Sequence, residues 1–272
     1  MNLKSKQALV TGSSRGIGRG IALKLAQEGA TVAVHYFQNH GAAADTLARV
    51  RELGSDGVIV QGDVSRVEDI RRMFAEVRDT FGSLDIFVSN ARSEWSTFYE
   101  SPLTITLEQW DMAFNSQAKA FLLGVQEAAR SMPRNGRIVV ITFAPGGQNG
   151  SWQPWVGMGS AKLAMESTCR YFAVALASRG ITVNAISPGL TEDSVLNSLP
   201  EEVQQRARAW HERGWTPMGR LGTPADIGNA VAMLCSDEGG WITGQVICAD
   251  GGASLMDTVL PLEMQMPQPI TV

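Results

Sequence analysis

The run Thr11-Gly12-Ser13-Ser14-Arg15-Gly16-Ile17-Gly18 follows directly on the apolar triplet Ala8-Leu9-Val10 and precedes Ile21-Ala22-Leu23-Lys24-Leu25-Ala26. The triplet reads as a buried strand and the later pattern as an amphipathic helix, so the chain passes from strand to helix through bare backbone. Glycines at 12, 16 and 18 permit a tight turn, close approach of a ligand to the main chain, and close packing of helix on strand. A helix start leaves N–H groups unpaired and carries a partial positive charge, a combination that suits a pyrophosphate. A glycine-rich connection that binds nothing is the plainer alternative. The order strand, glycines, helix favours a dinucleotide site built on Gly12, Ser14, Arg15, Gly16, Ile17 and Gly18.

The pattern that begins there continues along the chain. Apolar strands are expected at 31–35, 57–60, 84–88, 137–141, 181–186 and 245–248. Helices are expected at 42–53, 70–81, 108–131, 156–178, 199–214 and 224–236, with a long irregular loop over 91–106. Unbroken apolar strands alternating with helices predict an α/β fold, a Rossmann-like doubly wound parallel sheet covered by helices on both faces. No composition shift marks a linker, and 272 residues suffice for one large α/β domain. A single domain is expected over 1–255, with 256–272 as an irregular C-terminal extension whose apolar residues could pack on a neighbouring subunit.

Bulk properties exclude several classes. A net charge of −4 gives no reason to expect nucleic acid or an anionic membrane surface as partner. No apolar run reaches the length of a membrane span, and Met1-Asn2-Leu3-Lys4-Ser5-Lys6 leads straight into a strand without a signal-peptide pattern. Cytoplasm is the expected location. Cys169, Cys235 and Cys248 are odd in number and lack ligand spacing, so neither a disulfide framework nor a metal site is expected.

The kind of nucleotide is read at the end of the second strand, His35-Tyr36-Phe37-Gln38-Asn39. In folds of this type an acidic side chain about twenty residues after the glycines selects the unphosphorylated ribose. None stands here, and Arg15 in the glycine loop is able to bind a 2′-phosphate. NADP(H) is therefore expected over NAD(H), with a solvated Arg15 as the alternative.

Over about residues 5–254 the chain resembles the classical short-chain dehydrogenase/reductase family. The landmarks are Thr11-Gly12 through Gly18, Asp63-Val64, Asn90-Ala91, Asn115 in the long helix, Lys162, and Pro188-Gly189. The resemblance implies that Asp63 and Val64 contact the adenine, with Tyr36 near the adenosine. It implies that Asn90 and Ala91 lie along the cofactor, that Lys162 holds the nicotinamide ribose, and that Pro188, Gly189 and Thr191 flank the carboxamide. Asp85–Ala91, Asn115–Ala120 and Arg170–Val174 look like the enoyl-acyl-carrier-protein reductase branch.

The expected catalytic centre departs from that family. Members carry Tyr-x-x-x-Lys, but Met158 stands four before Lys162; the enoyl-thioester reductases place the tyrosine seven before the lysine, where this chain has Trp155. The three tyrosines, Tyr36, Tyr99 and Tyr171, lack catalytic spacing, and Phe143 falls where the family serine belongs, with Thr142 the nearest hydroxyl. After Asn90-Ala91 the family glycine is Arg92, which either reaches a substrate anion or, as the plainer reading, lies in solvent.

These departures change the chemistry. Ketone reduction leaves an alkoxide that must be protonated as it forms, and the phenol gives that proton under the influence of the lysine cation. A thioether has no proton to give, and an indole N–H donates a hydrogen bond without being an acid. Loss of a general acid is worth roughly 10²–10⁴ in rate. Hydride addition to a conjugated C=C makes a delocalised enolate instead, which a donor such as Trp155 Nε1 or Thr142 Oγ1 can stabilise.

Asn115, Thr142, Trp155 and Lys162 are thus the catalytic candidates. The leading function is NADPH-dependent reduction of an activated C=C in a small molecule or acyl thioester. A non-redox enzyme on the same scaffold and a non-catalytic nucleotide-binding subunit remain open, and ordinary ketoreduction is the poorer fourth. Trp95, Phe98, Tyr99, Trp152 and Trp155, with Trp210 and Trp215 in a lid, suggest an aromatic pocket. The resemblance also implies a homo-oligomer, dimer or tetramer, with Ala120, Leu123, Ala128, Leu163, Ala164 and Ala173 as small apolar surface on the two long helices.

Overall fold

The computed structural model describes residues 1–92, 100–143, 155–193, 196–256 and 261–265. Seven parallel strands form one sheet in the order β3-β2-β1-β4-β5-β6-β7. They are β1 (Gln7–Val10), β2 (Thr31–Tyr36), β3 (Gly57–Gln61), β4 (Ile86–Ser89), β5 (Arg137–Ile141), β6 (Thr182–Pro188) and β7 (Val246–Ala249). The helices between them are α1 (Gly16–Gln27), α2 (His40–Glu52), α3 (Val67–Phe81), α4 (Leu107–Phe114), α5 (Ala120–Ser131), α6 (Val156–Leu176), α7 (Glu201–Trp210) and α8 (Pro224–Cys235). The doubly wound α/β reading holds, strand by strand.

Each strand feeds two cores because successive side chains point to opposite faces. On one face Leu9, Ala33, Phe87, Ile138 and Val183 meet α3, α5 and α6 through Phe74, Phe121 and Met165. On the other, Ala8, Val10, Val32, Val88 and Ile186 meet α1, α2 and α8 through Ile21, Leu47 and Val231. Burial on both faces is why the strands read as continuous apolar runs.

Three expectations change in detail. The single helix read over 108–131 is interrupted by a π turn at Asn115–Lys119, between α4 and α5. Such turns inside α-helices tend to occur at functional sites. The C-terminal tail, expected to be irregular, forms one helical turn at Leu262–Gln265. Ala120, Ala128 and Ala173 belong to the core rather than to an outer packing surface. The outward face of these helices carries Leu122, Leu163, Tyr171 and Val174, because helical periodicity turns the alanines inward. Among the described residues no helix is long and apolar enough to cross a membrane.

The strand order reverses between β1 and β4, whose chains run side by side from Ala8↔Ile86 to Val10↔Val88. In open parallel sheets the crevice beyond the carboxyl ends of such strands is the place for a ligand.

Candidate active site

The glycine turn is held from several sides. Gly12 has φ of +67°, a conformation that favours glycine. Any Cβ at position 18 would overlap the Gly12 carbonyl and the Asn90 amide. The Asn90 side chain donates to the carbonyl oxygens of Thr11 (3.0 Å) and Gly12 (3.3 Å). Thr11 Oγ1 in turn accepts from the backbone N–H groups of Asn90 (3.0 Å) and Ala91 (3.1 Å), tying the β1 and β4 ends together. Arg19 closes the outer side: its guanidinium donates to the Ser14 carbonyl at 2.6 Å and pairs with Asp45 at 3.0 Å.

His35 is the hidden brace of this turn. The Gly12 N–H donates to its Nδ1 at 2.9 Å, which leaves Nε2 as the protonated nitrogen, donating to the Gly62 carbonyl at 3.1 Å. Burial pushes its pKa down to about 4, against the opposing pull of the Gly62 hydrogen bond and the Asp63 charge. A neutral imidazole therefore bridges the β1, β2 and β3 ends. Sequence reading passed over His35, for which the only signal was a histidine at the end of an apolar strand.

The turn opens into α1 without a side-chain cap and without an acidic residue in the first helical turn. By contrast, α4 and α8 carry complete capping boxes, on Thr106 and Thr223. Bare amides at a helix start facing a glycine cradle fit a pyrophosphate. Exposed Arg15 stands at that start, and Tyr36 lies at the end of β2, edge-on to His40 with ring centroids 5.4 Å apart. Beyond β3, Asp63 is held by Ser65, whose N–H and hydroxyl both donate to Oδ1 (2.9 and 2.7 Å), and Val64 is buried beside it. Ser14, Gly16, Ile17, Asn90 and Ala91 line the same edge, half-buried.

At the far end of the edge, α6 places Lys162 behind β5. The ammonium is buried and donates to the Ile141 carbonyl at 2.6 Å. Desolvation, and next the positive charge of Arg92, bring its pKa down to about 7, while Glu166 pulls the other way. Burial holds the Glu166 carboxyl above the usual carboxylate range, opposed by a hydrogen bond from Thr142 and by the Arg170 and Lys162 charges. Thr142 Oγ1 also lies 3.3 Å from the Ile186 carbonyl, so this buried hydroxyl is engaged by the protein itself. Met158 is buried and packs with Ala113 and Trp155, whose indole Nε1 is also buried. Phe143 is buried, and its carbonyl accepts a hydrogen bond from Ser187. Pro188 ends β6, Gly189 packs against Asp250, and buried Thr191 bridges to Gly222. Asn115 opens the π turn, its Oδ1 3.4 Å from Lys119 Nζ.

Comparison with known proteins decides the family. The enoyl-(acyl carrier protein) reductase family matches residues 12–254. The chain belongs to this branch of the short-chain dehydrogenases/reductases. It is 36% identical to the 1-cyclohexenylcarbonyl-CoA reductase of Streptomyces collinus over 250 residues, covering 92% of this chain and 87% of that protein. It is 33% identical to the tetrahydroxynaphthalene reductase of Pyricularia oryzae over 262 residues, 93% and 91% of the two chains. Among solved structures, the angucycline C-6 ketoreductase LanV with bound NADP superposes with a TM-score of 0.84 at 35% identity, covering 94% of this chain and 98% of that one.

The nucleotide-end landmarks of the short-chain dehydrogenase/reductase resemblance stand on one sheet edge, and further along α6 carries Met158 four residues before Lys162. Two further charged groups lie there, Arg92, which the sequence reading left between a substrate anion and solvent, and Glu166. Arg92 is half-buried and its charge acts on Lys162, so it is not the solvated cation of the plainer reading. Glu166 was passed over, although its place one helical turn after Lys162 was a signal available from spacing alone. Tyr36 sits at the β2 end and Tyr171 is largely exposed on α6, so neither described tyrosine is placed with Lys162. Trp210 and Trp215 meet edge-on at 5.2 Å in the segment after β6. Trp95, Phe98, Tyr99 and Trp152, the other members of the expected aromatic pocket, lie outside the described residues.

Proposed function

We propose that this NADP(H)-dependent oxidoreductase reduces an activated C=C, in an enoyl thioester or a related small-molecule intermediate. Gly12, Ser14, Arg15, Gly16, Ile17 and Gly18 would hold the phosphates, with Arg15 on the 2′-phosphate. Tyr36, Asp63 and Val64 would take the adenosine, Asn90 and Ala91 the middle of the cofactor. Lys162 would take the nicotinamide ribose, with Pro188, Gly189 and Thr191 at the carboxamide. Bound NADPH supplies the hydride.

The observation that carries this reading is the pairing of a buried thioether, Met158, with a buried ammonium, Lys162, on the helix where the family has phenol and ammonium. A centre with cations and, among the described residues, no phenol suits a reaction whose charge is spread over an enolate better than one that leaves a localised alkoxide. Around Lys162, Asn115 and the π turn shape the helix that faces α6, Trp155 offers an indole donor, and Thr142 holds Glu166. The name of the Streptomyces collinus relative describes a ring double bond next to a thioester carbonyl, and is in line with this substrate class.

Ketoreduction is the second reading, favoured by structural relatives that are ketoreductases, such as LanV. The test is oxidation of NADPH in the presence of crotonyl-type thioesters and of simple ketones. Turnover of the thioesters supports the proposal; turnover of ketones alone rejects it. Assembly into a homo-oligomer belongs to the same reading, since Leu122, Leu163, Tyr171 and Val174 stand exposed on the outer faces of α5 and α6. Sedimentation as a monomer would contradict it.

A further inference from the structure

We propose that Arg19 is a positioning residue for cofactor choice: it ties the glycine turn to α2, and so sets the gap between Arg15 and the β2 end that takes the 2′-phosphate. This rests on the reading that Arg15 meets that phosphate.

All three nitrogens of the Arg19 guanidinium are engaged. Nε donates to the Thr46 hydroxyl at 2.9 Å and lies 3.1 Å from the Ser14 carbonyl. Nη2 donates to the carbonyl oxygens of Ser14 (2.6 Å) and Ala42 (3.1 Å), and Nη1 pairs with Asp45 at 3.0 Å. Ser14 belongs to the glycine turn, whereas Ala42, Asp45 and Thr46 lie in the first two turns of α2. Buried Thr46 reinforces the link, its Oγ1 standing 3.2 Å from the same Ser14 carbonyl. One side chain of α1 thus joins segments that are 32 positions apart at Ser14 and Thr46.

Each joined segment bounds the ribose position. A trans peptide is planar, so fixing the Ser14 carbonyl fixes the Ser14–Arg15 peptide and with it the direction in which Arg15 leaves the turn. On the other side, α2 follows the β2 end and is capped by Asn39, whose side chain accepts from the Ala42 N–H at 2.9 Å. Ala42 is therefore held at its N–H by the connection from β2 and at its carbonyl by Arg19. In folds of this kind the residues just beyond β2 read the ribose 2′ position.

The two arginines divide the work. Arg19 spends its donors on carbonyls and a hydroxyl and its charge on Asp45, a carboxylate that also lies 3.7 Å from Arg49. Arg15 is exposed at the start of α1. The pyrophosphate cradle is braced separately, by hydrogen bonds of Thr11, His35 and Asn90. Loosening the Arg19 clamp therefore spares what NADH and NADPH share and disturbs what distinguishes them.

The test compares Kd values of NADPH and NADH, by calorimetry, for the wild type, Arg15→Ala, Arg19→Lys and the double variant. Lysine keeps the charge but offers one nitrogen where the clamp uses three. Arg19→Lys is expected to lower the preference for NADPH by roughly fivefold, with NADH affinity held within about twofold. In the double variant the preference falls no further than in Arg15→Ala alone, because Arg19 acts through Arg15. NADH binding reports an intact fold. If Arg19→Lys does not fold, Thr46→Val, which strips one hydroxyl from the clamp, shifts the preference the same way by a smaller factor. As a second readout, the ³¹P signal of the bound 2′-phosphate titrates at lower pH than in free NADPH, since a nearby cation favours the dianion. In Arg19→Lys it moves back toward the free value while the pyrophosphate signals stay in place. A wild-type preference in Arg19→Lys (or in Thr46→Val where that replaces it), an equal loss for both nucleotides, or an additive double variant overturns this inference and leaves Arg15 on the 2′-phosphate. An unchanged preference in Arg15→Ala removes that reading and this inference with it.

Discussion

The two ends of the crevice are built differently. At the nucleotide end, Thr11, Gly12, His35 and Asn90 are locked to one another by hydrogen bonds between main chain and side chain, and the bracing groups are neutral. At the proposed reaction end, the buried side chains of Met158 and Phe143 lie with charged groups, Lys162, Arg92 and Glu166. On the proposed function the first end recognises a constant group, and its specificity lies in backbone shape, which tolerates little change. On the same reading the second end does chemistry with side chains that can be exchanged on an unchanged backbone. A protein of this family can therefore alter its reaction without loosening its hold on the cofactor.

The sharpest way to break this contrast is at Gly18. A valine there would drive its Cβ into the Gly12 carbonyl and the Asn90 amide, both parts of the brace. Overpacking against backbone costs a few kcal/mol, so NADPH affinity measured by calorimetry is expected to fall on the order of 10²-fold or more. Unchanged affinity would mean that the cradle is not the binding surface. His35 tests the brace by another route. Its pKa lies at about 4 when folded and 6.5 when free, so the unfolded chain takes up a proton first as pH falls. The stabilisation it contributes is complete above pH 6.5 and is lost between there and about 4, by roughly 3 kcal/mol. Denaturant midpoints of the wild type and His35→Gln are expected to converge over that window. Parallel curves would remove His35 from the account.

At the other end, Met158→Tyr restores the family's phenol beside Lys162. Ketone reduction is expected to rise by roughly 10², the lower end of what a general acid supplies. The pocket around Met158, closed by Ala113 and Trp155, makes the change cost about 1–3 kcal/mol of stability. A stable variant with no gain on ketones would show that the phenol's absence is not what limits the reaction.

How far this contrast could be read in advance follows from its physics. The sheet and the glycine turn are periodic and local, so Ala8–Val10 followed by Gly12, Gly16 and Gly18 announces them, and the missing phenol is legible from the spacing of Met158 and Lys162 alone. The brace is not, because His35 reaches Gly12 and Gly62 from residues 23 and 27 positions away in the chain. Arg92 was visible as an oddity after Asn90-Ala91. Its effect on Lys162, whose pKa its charge lowers, depends on the fold and not on spacing along the chain. The π turn at Asn115 has no hydrophobic signature, since one extra residue in a turn barely disturbs the apolar stripe that α5 continues.

The smallest effect is expected at Arg15, where the two ends meet in one question: how much of cofactor choice is charge and how much is shape. Its side chain is exposed and makes no cap hydrogen bond to α1, so it is available to a 2′-phosphate without being needed for the fold. A charge-assisted contact in solvent is worth about 1 kcal/mol after screening. Arg15→Ala is therefore expected to weaken NADPH binding by roughly fivefold to tenfold and to leave NADH binding unchanged, with the difference shrinking as salt is raised. An equal loss for both nucleotides would place Arg15 on the shared pyrophosphate. The preference would then rest on the absence of a carboxylate among Tyr36, Phe37, Gln38 and Asn39, and an acidic substitution there would be the one that reverses it.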